Sequence, residues 1–286
     1  VANVFDAMKK AQAQRPAAAQ EAPAPQAPSE PQQQVSPAAV IAAAMPAAVL
    51  AAPRKAPLPA ECANCDQSLV AIHDRGGAIA EEYRAIRTNM LAQCPGDKFV
   101  YVVTSADQDE GKTVTCANLG LVMAERTDRL TLLVDCDLRR SRLSCLFSAP
   151  GEPGLVDYLR GGATLDQVLR PTPAATLRLL PAGRCGPEEI AELLSSAAME
   201  KLIADVRRQF DYVLMDSPPI ASVSDAGVLG TLVGEAVLVA RMHRTHRDAV
   251  ERAIHLLHAA NAKPMGLILT HRLYQVPKYH YKYYKR

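Results

Sequence analysis

Continuous apolar runs of strand length, separated by stretches with helical periodicity, leave this chain few architectures to fold into. "KFVYVVTS" (98–105), "RLTLLVDCD" (129–137), "DYVLMD" (211–216), "EAVLVAR" (235–241) and "PMGLILTH" (264–271) place apolar residues at successive positions, not alternate ones. A strand with one wet face alternates, whereas a strand covered on both faces does not. Parallel strands also need a crossover between them, usually a helix. Helical patterns fill the gaps at 79–92, 112–126, 197–209, 224–232 and 245–261, with shorter ones at 153–160, 164–169 and 187–195. "LRLLPAG" (177–183) is a further strand, and "SLVAI" (68–72) reads as a short one ahead of the first long helix. These segments predict one α/β domain over 66–272, in three layers, with a mostly parallel central sheet and helices on both faces.

The flanks have another character. Residues 1–65 are rich in Ala, Pro and Gln and are expected to be disordered, because they bury too little apolar surface to offset ordering entropy. "NVFDAMKKAQAQ" (3–14) could form a short helix with Phe5, Met8 and Ala11 on one side. The run at 37–53 is mostly alanine, is broken by Pro46 and is short for a membrane span; it reads as linker, and no secretory signal is expected. A net charge of +2 gives no global attraction to nucleic acid or membrane. Seven scattered cysteines read as reduced thiols of a cytosolic protein, and Cys62-x-x-Cys65 is half a zinc pattern without a second half.

"VYVVTSADQDEGKTVTCANLG" (100–120) supplies strand, loop and helix in that order. A helix N-terminus offers free N–H groups and a positive dipole end to an anion. Gly111-Lys112-Thr113 is how a phosphate-binding loop ends: the lysine reaches the β- and γ-phosphates and the hydroxyl a magnesium ion. Ala106 stands at the loop's first glycine position, and Asp107, Asp109 and Glu110 crowd it with negative charge. Alone, the motif is also compatible with an ordinary strand–turn–helix. Asp135 and Asp137 close one apolar strand, with Arg139 and Arg140 behind them, and Asp216 closes another before Ser217-Pro218-Pro219. Ligands of open α/β sheets bind at that end of the strands, and an Asp there beside a phosphate loop holds Mg²⁺ directly or through water.

With those segments in view, "TSADQDEGKTVTCANLG", "LLVDCDLRRSRL" and "FDYVLMDSPP" resemble the Walker A, A′ and B motifs of the bacterial tyrosine kinases of capsule and exopolysaccharide synthesis, a P-loop NTPase family related to the MinD/ParA ATPases. "EEYRAIRTN" (81–89) resembles the family's assembly helix through Glu81, Arg84 and Arg87, and "LPAG" (180–183) with "ELLSSAAMEKLIADVRRQFD" (192–211) resembles the stretch ahead of Walker B. The resemblance covers about 68–286. It implies a cytoplasmic protein-tyrosine autokinase using Mg-ATP, placed at the inner face of the membrane through a membrane-embedded polysaccharide co-polymerase that activates it. It further implies a ring-shaped homo-oligomer, a cognate tyrosine phosphatase and no role in nucleic-acid binding. By position, Asp109, Glu110, Gly111, Lys112, Thr113 and Val114 would bind ATP; Thr113, Asp135 and Asp216 would serve the metal; Lys112, Asp135 and Asp137 would be catalytic. The family's loop usually has Pro and Gly where Gln108 and Asp109 stand here.

Five of the nine tyrosines, Tyr274, Tyr279, Tyr281, Tyr283 and Tyr284, fall in the tail 273–286 among Lys278, Lys282, Lys285 and Arg286. The resemblance makes them phosphoacceptors, each phosphate adding roughly −1.5 to −2 charges. A basic–aromatic patch for nucleic acid or anionic lipid, or a plain disordered terminus, fits the same residues. Spacing alone would make Glu81, Arg84 and Arg87 a solvated helix face with one i, i+3 ion pair. Two other functions stay open at this level. A catalytically weak kinase-like scaffold would follow if the Asp109 carboxylate faces the phosphates. A MinD/ParA-type positioning ATPase would need a lysine where Asp107 stands.

Overall fold

A computed structural model of the protein describes residues 64–271 except 95 and 97. In chain order the elements are α1 (Val70–His73), α2 (Ala78–Ala92), β1 (Phe99–Ser105), α3 (Lys112–Met123), β2 (Thr131–Asp135), α4 (Leu143–Leu146), α5 (Leu155–Leu159) and α6 (Leu165–Val168). Then come β3 (Arg170–Pro171), β4 (Leu177–Leu180), α7 (Ile190–Leu194), α8 (Ala197–Gln209), β5 (Tyr212–Asp216), α9 (Asp225–Val233), β6 (Glu235–Arg241), α10 (Arg247–Ala259) and β7 (Lys263–Thr270). The seven strands form one sheet in the order β3-β4-β2-β5-β1-β6-β7, and only the short β3–β4 pair is antiparallel. The expected mostly parallel α/β sheet is therefore present.

Successive strand residues feed two separate cores. Val100, Val102, Leu132, Val134, Val213 and Met215 face one side, under α5 and α7–α10. Tyr101, Val103, Leu133, Tyr212 and Leu214 face the other, under α1–α4. Both sets are buried, which is why the apolar runs do not alternate. Register then fixes the site: Asp216 of β5 lies level with Asp135 of β2 on one side and with Val103 of β1 on the other.

Residues 68–72 are not a strand. They form the short helix α1, with Leu69 and Ala71 buried. The reason is Asn118 on α3, whose side chain accepts from Ala71 N–H at 3.0 Å and donates to the Ser68 carbonyl at 2.9 Å. Backbone groups met by a side chain need no sheet partner. Cys65 is disulfide-bonded, against the thiol reading; Cys94, Cys116, Cys136, Cys145 and Cys185 are free. Cys62, the linker, the 3–14 segment and the tail tyrosines lie outside the described residues.

Helix α2 packs Tyr83, Ile86 and Met90 against the core. Its polar stripe engages the same chain. Arg84 donates to Glu125 from Nε at 3.0 Å and Nη2 at 2.7 Å, and to the Arg75 carbonyl at 2.8 Å. Arg87 reaches the other Glu125 oxygen at 2.7 Å. Glu81 pairs with Arg84. Burial works against the Glu125 carboxylate, but Arg84 and Arg87 outweigh it and hold its pKa below the ordinary 4.5. A lowered folded pKa contributes stability that is present above the unfolded value and lost as pH falls through the folded one. Glu125→Gln should therefore lower the melting temperature at pH 7 by the equivalent of about 1–3 kcal/mol, and the gap to the parent should close as pH drops below 4.5. Equal melting at neutral pH would show that these pairs contribute nothing.

Candidate functional site

The loop between β1 and α3 is shaped by two left-handed residues, Asp109 at φ 58° and Gly111 at φ 83°. Glycine takes that conformation freely, and aspartate is among the few other residues that tolerate it. Gly111 caps α3, so the first N–H groups of that helix open onto the loop. Each carboxylate of "DQDE" has a partner. Asp107 accepts from Gln108 N–H at 2.7 Å. Glu110, only 2% exposed, accepts from Asp107 N–H at 2.9 Å and from the Thr245 hydroxyl. Asp109 turns to Arg140, Oδ1 to Nη1 3.3 Å, while Gln108 Oε1 takes the same guanidinium at 2.7 Å. Thr270, at the end of β7, donates to the Glu110 carbonyl at 2.7 Å. The loop thus borrows its shape from the ends of β6 and β7, which the loop sequence does not reveal.

Lys112 is nearly buried, its Nζ 3.5 Å from Asp137 Oδ2, 3.4 Å from Asp216 Oδ1 and 3.4 Å from Thr113 Oγ1. Burial alone would lower its pKa; Asp216 and Asp137 more than reverse that, so it remains charged. Asp216 is wholly buried, and among the described residues the Lys112 ion pair and the Thr113 hydroxyl are what its oxygens meet, with no close, well-aligned hydrogen bond. Burial pushes its pKa up despite Lys112. Asp135 is pushed up further, by burial and then by Asp216 beside it. Its oxygens are taken by the N–H groups of Asp137 at 3.2 Å and Leu143 at 3.0 Å. The structure therefore brings Lys112, Thr113, Asp137 and Asp216 together, and uses Asp135 to fold the loop behind them.

Among the described residues no three His, Cys, Asp or Glu side chains form a metal cage. The donors do fit Mg²⁺, which takes one or two carboxylates and completes its shell with phosphate and water; the buried Asp216 carboxylate beside the Thr113 hydroxyl is such a set. Residues 109–114 line a cavity of about 180 Å³ together with Asp137, Arg140 and Arg142. Sequence spacing singled out neither Arg142 nor the fork by which Arg139 grips buried Asp225, at 2.8 and 3.3 Å.

No family model matches the chain. It is 35% identical over 191 residues to tyrosine-protein kinase CpsD of Streptococcus agalactiae, covering 66% of this chain and 82% of that one. The chain belongs to the bacterial tyrosine kinases. The kinase's fold agrees: the kinase domain of Escherichia coli tyrosine kinase ETK aligns with a TM-score of 0.68 at 30% identity, over 74% of this chain and 84% of that one. The cell division ATPase MinD of Pyrococcus furiosus aligns at 24% identity with a TM-score of 0.52, over 60% and 71%, a likeness of fold alone. Among the described residues, no helix of the kinase is long and apolar enough to cross a membrane.

Burial raises the Asp216 pKa despite its ion pair with Lys112, so at neutral pH the ionised carboxylate costs the nucleotide-free kinase stability. Asp216→Asn should raise its melting temperature by about 2–4 °C, the effect of about 1 kcal/mol in a domain of this size, because Lys112 keeps Asp137. Phosphotransfer should fall in the same variant. A lower melting temperature would mean that Asp216 stabilises the fold.

Proposed function

We propose that this kinase transfers the γ-phosphoryl group of ATP to tyrosine hydroxyls, chiefly those of its own tail, and thereby regulates exopolysaccharide synthesis and export. The observation that carries the proposal is the buried cluster of Lys112, Asp137 and Asp216 at the N-terminus of α3. Phosphoryl transfer asks a protein mainly for positioning and charge stabilisation. The α3 N-terminus and loop N–H groups would bind the phosphates. Lys112 would leave Asp137 and Asp216 to reach the β- and γ-oxygens. Thr113 and Asp216 would hold Mg²⁺, which supplies positive charge to the transferring group. Asp137, freed of Lys112, would accept the tyrosine proton. Asp135 would act by holding the Asp137 backbone.

The scaffold alternative depended on Asp109 facing the phosphates. Its pairing with Arg140 supports an active loop. Asp107, bonded to its neighbour's N–H, leaves no lysine of the MinD/ParA kind. We further propose that the tail 273–286 is a separate acceptor segment from the kinase domain 66–272. The kinase would work at the inner face of the membrane with a membrane-embedded co-polymerase, as a ring-shaped homo-oligomer opposed by a phosphatase. Glu81 is half-exposed and pairs with Arg84, so joining that ring would have it exchange this partner, and Arg84 and Arg87 exchange Glu125, for groups of a neighbour.

The test is phosphotyrosine formation by the purified full chain with labelled ATP and Mg²⁺, with ATP binding measured alongside. Lys112→Met should cut the signal about 100-fold, the usual effect of losing one charge-stabilising donor. Phenylalanine at Tyr274, Tyr279, Tyr281, Tyr283 and Tyr284 should abolish most of it. ATP bound without phosphotyrosine, even with the activating partner present, would defeat the kinase assignment.

A further inference from the structure

A carboxylate on a loop that must receive a triphosphate is an electrostatic liability. Like charges repel across the loop, more strongly the less water lies between them. The backbone cannot relieve it, because Asp109 is fixed at φ 58° inside the lining of the cavity. Arg140 lies across the mouth and meets it. One guanidinium nitrogen lies 3.3 Å from Asp109 Oδ1 and another 2.7 Å from Gln108 Oε1. The Arg140 backbone is itself pinned, its N–H donating to the carbonyl and the carboxylate of Asp137 at 3.1 and 3.2 Å. Arg140 therefore belongs at once to the loop after β2, which carries Asp137, and to the phosphate loop.

We propose that Arg140 is a phosphate-binding residue of this kinase and that Asp109 and Gln108 are its positioning residues. This rests on the nucleotide reading given above. An arginine has five N–H donors in a planar fork. Two side-chain oxygens orient that fork here and leave donors over for the oxygens of a phosphate, the partner that arginine grips best. The same contact cancels the Asp109 charge before the anion arrives. The odd acidic loop and the arginine after β2 are thus one device made of two segments.

The pairing predicts an asymmetric mutant cycle, read as ATP affinity of the full chain at fixed ionic strength with adenosine as a second probe. Arg140→Ala should weaken ATP at least 10-fold, since it removes a cation and leaves Asp109 uncompensated. Adenosine, which has no phosphates, should bind the variant as it binds the parent. Arg140→Lys should recover part of the loss, as a point charge without the fork. Asp109→Asn, which removes the charge and still tolerates the left-handed backbone, should restore at least 3-fold when added to Arg140→Ala. ATP affinity unchanged in Arg140→Ala would overturn the proposal. So would an Asp109→Asn variant binding ATP 10-fold more tightly, which would make Asp109 a simple repulsive charge. A double variant no tighter than Arg140→Ala would refute the pairing, and equal losses for ATP and adenosine would show a merely structural role. A parent chain that binds no ATP would instead sink the nucleotide reading itself.

Discussion

One buried ammonium organises the site. Lys112 stands on the first turn of α3, nearly out of water, and an isolated cation there would shed its proton. Asp216 and Asp137 prevent this. Asp216 ends β5 and Asp137 lies two residues beyond β2; the parallel register that sets Asp216 level with Asp135 and Val103 brings both carboxylates to Lys112. The sheet topology, the buried charges and the phosphate loop are therefore a single constraint. A shift of one residue in β5 would turn Asp216 to the other face and leave Lys112 with half its compensation.

The acidic loop makes sense in the same terms. Read as a string, "DQDE" is four residues of mostly negative charge facing an anion. In the structure each carboxylate has a donor: a neighbouring N–H for Asp107, Arg140 for Asp109, Asp107 N–H and Thr245 for Glu110. Formal charge in a loop says little until its partners are known. Here the partners come from the β2–α4 and β6–α10 segments, with Thr270 bracing the Glu110 carbonyl.

The sheet was legible because both faces are covered and the apolar runs are therefore unbroken. A strand-end aspartate often only caps a loop, as Asp135 does; the site was legible because three of them converge on one Gly-Lys-Thr. Helix α8 was read to the residue, since Ser196 caps it at 3.3 Å and its apolar face repeats cleanly. What escaped reading is what depends on distant partners. "SLVAI" has strand composition, yet Asn118, some fifty positions away, satisfies its backbone. Arg84 and Arg87 show a helical stripe in sequence, but their acid is Glu125. Nothing local marks Asp225 as the buried partner of Arg139. Spacing reports which residues share a face; it cannot report what lies against that face.

Asp135 and Asp216 lie level on adjacent strands, both buried; burial makes each harder to ionise, with Asp216 adding to the effect on Asp135 and Asp137 to that on Asp216. A fold optimised for stability alone would not place them there, and stability surrendered at a site is a common companion of activity. The repulsion is also a binding resource. A divalent cation held by Asp216 would supply the positive charge that relieves it, and part of the free energy withheld on folding would be returned on binding. By linkage, whatever binds only the folded chain stabilises it. Lys112 bridges the two carboxylates, and in the role proposed for them it would have to let go for them to act.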